Sequence, residues 1–187
     1  IAIRRQVAPP KKADSIEIAY YGKKKWLQAS ATAFGVNMGV WAFDRYIQKA
    51  HYAYIDFGTI KENFKKGFIW DNDNMSVNMF LHPYHGNLYF NSGRANGLNY
   101  WQSGLVALGG SAMWELAMES EYPSTNDIIA TPIGGMAIGE VFYRTSDLVL
   151  DDRQRGANRF GRELAGFIIS PMRGLTRIIN GDAWRKR

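Results

Sequence analysis

A chain of 187 residues fits one domain and is long enough to bury a substantial core. With 46% hydrophobic and 21% charged residues it is not a disordered polymer, and with no Cys it has no disulfide framework, thiolate metal site or cysteine nucleophile. The net charge of +6 is concentrated at the ends, in Arg4, Arg5, Lys11, Lys12 and Lys23 to Lys25 and again in Arg185, Lys186 and Arg187. These basic ends read as solvated tails, and no RNA-recognition or zinc-finger pattern points to nucleic acid.

Residues 1–22 read as an extended basic arm. Pro9 and Pro10 oppose helix, and Ser15-Ile16-Glu17-Ile18 alternates like a short edge strand. The chain opens at Ile1 without a start Met or an apolar signal region, as a processed or truncated product would. From residue 23 to 187 the pattern is that of a single helical domain. Trp26 to Phe43 holds 18 residues without a charge, and Gly35 and Gly39 share a helix face where a neighbouring backbone can approach. Thr59 is placed to cap a short helix through Lys66, with Glu62 at the capping-box position. Asp71-Asn72-Asp73-Asn74 forms a turn or caps the next helix, which His82-Pro83 is expected to end.

A second charge-free run covers Ala95 to Trp114, and Tyr122-Pro123-Ser124 closes it. Ser124-Thr125-Asn126-Asp127 starts a helix, Ser124 capping and Asp127 answering three residues later. That helix runs from Asn126 to Arg144, bent or restarted at Pro132, with Gly135 and Gly139 again four apart. A further helix spans Asp152 to Ile169, Ser170-Pro171 breaks it, and Leu175 to Ile179 is a final turn or short helix. The charge-free runs have the length of membrane spans, but too many of their positions are polar or glycine. The expected fold is all-α or mainly α, a compact bundle of closely packed helices with an extended N-terminal arm.

The candidate site residues fall in three polar stretches. His82, His85, Glu115 and Asp127 are acceptable metal ligands, yet Pro83 interrupts the two histidines, so no metal or other cofactor is assigned. Glu115 and Glu119 share a helix face and read as an exposed pair at a helix end. Glu140 lies in the otherwise apolar stretch from Ile128 to Tyr143, where a carboxylate needs a partner; Arg94 and Arg144 are the binding candidates. Nucleophile-elbow, Walker and dinucleotide motifs are absent. The donors of the His82–Arg94 segment are expected to meet the acceptors of the Glu115–Asp127 turn through an antiparallel helix pair.

The ordered series His82-Pro83-Tyr84-His85-Gly86, Arg94, Ser111, Trp114-Glu115, Pro123-Ser124, Asp127, Thr131-Pro132, Gly134-Gly135 and Gly139-Glu140 resembles an uncharacterised bacterial domain family. That family is a domain of unknown function in Gram-negative envelope proteins, many from Bacteroidetes-type bacteria. The likeness covers roughly residues 71–144 and continues more loosely to Trp184. It implies export to the envelope, longer parent chains and no established activity. A weaker likeness is to VanZ-like membrane proteins, in Glu115, Ser124-Thr125-Asn126-Asp127 and the Gly135, Gly139 pair. The resulting expectation is a structural or interaction domain of the bacterial envelope, periplasmic or outer-membrane associated, whose partner is a membrane surface or an envelope protein. The alternative is an envelope hydrolase acting on lipid or glycan through His82, His85, Glu115, Asp127 and Glu140 around one pocket.

Overall fold

The computed structural model describes residues 23–72 and 74–185. The basic arm with its edge strand, Asp73 and the last two basic residues lie outside the described residues. Among the described residues there are seven α-helices and no strand, as the patterning predicts.

Helix α1 (Trp26–Phe43) buries Ala29, Ala33 and Asn37, one turn apart, and turns its large side chains outward. A wide turn at Asp44–Gln48 extends it. Helix α2 (Phe57–Lys66) is short and capped reciprocally. The Asp56 carboxylate accepts from the Thr59 N–H at 2.9 Å, and the Thr59 hydroxyl accepts from the Asp56 N–H at 2.9 Å. Thr59 is therefore the third residue of that helix rather than its cap, because Asp56 three positions earlier is the stronger capping side chain.

Proline does not end the next helix. Asn74 caps it through the N–H groups of Ser76 and Val77, each at 3.1 Å. A wide π turn at Val77–Leu81 then runs straight into α3 (His82–Ala95), with Pro83 in its first turn. Proline is tolerated there because the wide turn already breaks the regular ladder, so one missing N–H costs little. Helix α4 (Tyr100–Met113) starts at a capping box between Asn99 and Gln102 and ends in a second π turn, Trp114–Met118. Helix α5 (Asp127–Val149) continues through Pro132 and five residues past the expected end at Arg144. Helix α6 is Gly156–Ile169 and α7 is Pro171–Ile179. α6 starts later than expected because Asp151 holds the 151–154 turn through the Arg153 N–H and the Gln154 amide. Pro171, with its preset φ, begins α7 instead of only breaking α6.

The scaffold of the site is the crossing of α3 with α5. A Cβ on Gly86 would lie 2.7 Å from the Thr131 carbonyl carbon, and one on Gly135 would lie 2.6 Å from the Gly86 Cα. Two backbones touch here, which is why both positions are glycine. Gly139 lets the Phe90 ring approach, with its hypothetical Cβ 2.8 Å away. The other glycine pair is different. Gly35 and Gly39 face open space, so they mark no crossing; α1 meets its neighbours through Ala29 and Ala33 instead. The core holds Tyr89, Phe90, Leu98, Val106 and Ala107 with those two alanines. Interleaved with it are buried Asn37, Asn87, Asn91, Ser92, Ser103 and Ser111, so the interior is unusually polar.

Helices α3 and α5 run parallel, since Pro83 meets Gly134 and Arg94 meets Glu140. α4 runs against both, with Gly104 beside Met136 and Glu115 beside Ser124. α1 lies parallel to α4, its Asn37 amide donating to the Gly110 carbonyl at 3.1 Å. The starts of α3 and α5 and the end of α4 are thus gathered at one end of the bundle.

Candidate functional site

The gathered end is a polar centre built from three elements. His82 and His85 come from the first turn of α3, Glu115 from the π turn after α4 and Glu119 from the residue just past it, and Ser124 to Asp127 from the start of α5. Ser124 accepts from the Asp127 N–H at 3.2 Å, which is one half of the expected capping box. The other half is supplied from elsewhere: Glu115, not Asp127, accepts from the Ser124 N–H, at 2.8 Å. That substitution releases the Asp127 carboxylate, which lies 3.4 Å from His82 Nε2 and accepts from the Asn126 amide at 3.1 Å. The His82–Arg94 segment and the Glu115–Asp127 turn meet as the sequence predicts, through this His82–Asp127 contact.

Glu115 and Glu119 are not an exposed pair. Glu115 is 2% exposed, and the Glu119 carboxylate accepts from the Trp114 indole N–H at 3.1 Å. Their side chains are hydrogen-bonded to each other, and burial pushes both carboxyls up, Glu115 to about 7. The Ser124 N–H opposes this for Glu115, while the Asp127 charge adds to it. Two carboxylates this close share a proton near neutral pH, because both cannot ionise in a dry site.

His85 belongs to a separate chain of donors. Its ring lies 4.6 Å from the Tyr89 ring and 5.0 Å from that of Trp114, and its Nε2 is 2.8 Å from the Tyr89 hydroxyl. Tyr89 also bonds the Asn37 carbonyl oxygen, whose amide nitrogen is committed to Gly110. Asn37 can only accept from Tyr89, so Tyr89 spends its one proton there and His85 must donate from Nε2. Burial, then the neighbouring His82, lowers His85 to about 4, so the ring is neutral at pH 7. Burial and the charges of Glu115 and Glu119 raise Tyr89.

Glu140 sits at the opposite end of the bundle, 13 residues from Asp127 along α5, or about 20 Å at 1.5 Å per residue. It takes both expected partners. Arg94 clamps it with Nε at 2.8 Å and a terminal nitrogen at 3.2 Å, and Arg144 Nε lies 2.8 Å away. Arg94 also donates to the Leu98 carbonyl and stacks on Tyr143 at 4.5 Å. The five candidates therefore do not surround one pocket: four gather at one end, and Glu140 ties α3 to α5 at the other. Among the described residues no three His, Asp or Glu side chains form a group able to hold a metal ion.

Two members of the centre, Tyr89 and Asn37, were not expected. Tyr89 stands four residues after His85 on one helix face, a relation concealed by the expected break at His82-Pro83. Asn37 continues the Ala29, Ala33 register, and that spacing is the signal that it faces inward. Chemically, the centre pairs a carboxyl that keeps its proton near neutral pH with a histidine–aspartate contact, the equipment of general acid–base chemistry.

The pH dependence of folding follows from these shifts. Between the ordinary carboxyl value of 4.5 and about 7 the folded state keeps the Glu115 proton that an unfolded chain has released. Stability therefore falls as pH rises through that window, by up to about 1.4 kcal/mol per pH unit. His85 acts in the opposite sense, costing stability as pH falls from 6.5 towards about 4. Glu115→Gln keeps the shape of the protonated carboxyl and removes the first slope. Its melting temperature is expected to gain on the parent's at pH 8 relative to pH 5. An equal parent–variant difference at both values would show that Glu115 is ionised throughout.

A family model described as a domain of unknown function (DUF3943) matches residues 67–172, more than half of the chain. The matched stretch contains α3, α4 and α5 entire and all three elements of the polar centre. No curated protein and no solved structure matches the chain.

Proposed function

The chain belongs to the DUF3943 family of domains of unknown function, and from that premise we propose an interaction domain of the bacterial cell envelope that docks on a membrane surface through the outer faces of α1 and α4. One observation carries the reading: these two helices are turned inside out. Inward they present Ala29, Ala33, Asn37, Ser103, Gly104 and Ser111. Outward they present Trp26, Leu27, Phe34, Trp101, Leu105 and Leu108, with Leu27 86% and Trp101 75% exposed. Neither helix contains a charged residue, and Lys23 and Lys24 lie exposed just before α1. Exposed apolar faces of this extent mark an interaction surface, and lysines at their edge favour anionic headgroups. No helix of the described residues is long and apolar enough to cross a membrane, and the proposed arrangement lays α1 and α4 along the interface. The envelope location rests on the family resemblance of the sequence.

The test is flotation of the full chain with vesicles of phosphatidylcholine, with and without phosphatidylglycerol. The chain is expected to float, more strongly with the anionic lipid. Leu105→Asp should weaken partitioning about 10-fold to 100-fold, since burying one such side chain contributes about 1.5–3 kcal/mol. Its circular dichroism and melting should stay like the parent's. A parent that ignores both vesicles sinks the membrane reading and leaves a protein partner for this face.

The convergence of Glu115, His82 and Asp127 favours a second reading, a hydrolase of envelope lipid or glycan. Turnover of ester or glycoside substrates that Asp127→Asn and Glu115→Gln abolish without unfolding the chain would support it. Turnover unaffected by both would exclude these residues from the chemistry.

A further inference from the structure

Helices α6 and α7 carry a second feature, far along the chain from the polar centre. On α6 the apolar residues Phe160, Leu164, Phe167 and Ile168 recur at helical spacing, while Arg159 and Glu163 fall on the inner side. The inner side is locked. Arg159 donates to the carbonyls of Ala183 at 3.0 Å, Asp182 at 2.8 Å and Arg185 at 2.6 Å. Arg177 of α7 grips the Glu163 carboxylate through two nitrogens, at 2.9 Å and 2.7 Å, and bonds Asp152 as well. Gly174 lacks a side chain where the Phe167 ring crosses, so the two helices close against each other at that end. Between them runs a groove of about 550 Å³, a size typical of small-molecule sites.

The groove has two unlike ends. From residue 155 to 167 it extends about 18 Å along α6 at 1.5 Å per residue. Its walls are Phe160, Leu164, Phe167, Ile178 and Trp184. At the end next to the start of α6 the lining includes Arg155, exposed and with no acceptor among the described residues. The carboxylates nearby are already engaged: Glu163 with Arg177, Asp151 with Arg153 and Gln154, and Asp152 with Arg177. An apolar trough with one uncommitted cation at the Arg155 end matches one chemistry, a long alkyl tail ending in an anion.

We propose that the α6–α7 groove binds a single-chain anionic amphiphile, its tail along Phe160, Leu164 and Phe167 and its head at Arg155. This site is independent of the docking face on α1 and α4, and its test uses no vesicles.

The probe is 9,10-dibromostearate, added to the full chain below its micelle concentration and read as quenching of tryptophan fluorescence. Saturable quenching is expected, and most of it should vanish in Trp184→Phe, because Trp184 lines the groove. Leu164→Glu should weaken binding at least 10-fold with the helical circular dichroism intact. Arg155→Glu should raise the dissociation constants of the probe and of stearate at least 10-fold and leave that of octadecanol, obtained by competition, unchanged. Leu105→Asp, on the docking face, should alter none of these readings. The proposal is overturned by no saturable quenching, by quenching equal in parent and Trp184→Phe, or by tight binding that survives Leu164→Glu. Stearate and octadecanol binding alike to the parent would overturn the assignment of the head to Arg155.

Discussion

Gly86→Ala is expected to destroy cooperative folding, or to leave a domain destabilised by more than about 3 kcal/mol, the upper range for overfilled cores. The new methyl group would meet the Thr131 carbonyl and the Gly135 Cα, the latter at 3.1 Å. Both are backbone, and neither can rotate away as a side chain would. Relief would require α3 and α5 to part, and with them the positions of His82 and Asp127 on which the polar centre depends. Gly135→Ala meets Gly86 across the same contact and should behave alike. The controls are Gly35→Ala and Gly39→Ala, which add a methyl group in open space on a helix. They should stabilise by up to about 1 kcal/mol each, or about 2–4 °C in melting temperature. A thermal melt of the four variants decides the matter; Gly86→Ala melting like the parent would show that the crossing is looser than the geometry demands.

Glu140→Ala should be the next most damaging change. It leaves Arg94, whose side chain is 18% exposed, without its carboxylate partner between α3 and α5. Breaking a largely buried pair from one side typically costs about 3–5 kcal/mol, equivalent to a fall of about 6–20 °C for a domain of this size. Arg144→Ala is the informative contrast. Its side chain is 75% exposed and solvent screens its pairing, so its loss should cost no more than about 1 kcal/mol. Equal effects of Glu140→Ala and Arg144→Ala would mean that the Arg94 clamp contributes nothing of its own.

Much of this is readable from residue order alone. The helical class follows from charge-free runs broken at turn residues, and the Glu140–Arg pairing follows from the cost of burying a charge in Ile128–Tyr143. The meeting of the His82 segment with the Asp127 turn follows from a helix pair that must run antiparallel to bury its faces. Residue types and spacing determine these, because propensity, periodicity and charge burial act over one or two turns.

The errors are equally specific. His82-Pro83 ends no helix, because a π turn ahead of it absorbs the missing donor; that compensation lies outside any rule for proline alone. Gly35, Gly39, Gly135 and Gly139 have the same spacing, yet two face open space, one faces another backbone and one faces the Phe90 ring. Spacing defines a helix face, and only the packing decides what stands opposite it. Glu115 and Glu119 look like an exposed helix-end pair until the chain returns at Ser124 and covers them.

What the sequence by itself determined is the helical class, the absence of charge from α1 and α4 and the need of Glu140 for a cation. Those are properties of a residue and its near neighbours. Only the tertiary structure decided that Glu115 takes the Ser124 N–H, that Asp127 is thereby released to His82, and that Arg177 reaches Asp152 and Glu163. Each of those contacts depends on the relative placement of separate helices. That placement is set by a few close approaches, above all Gly86 on Gly135, where a single methyl group is too large.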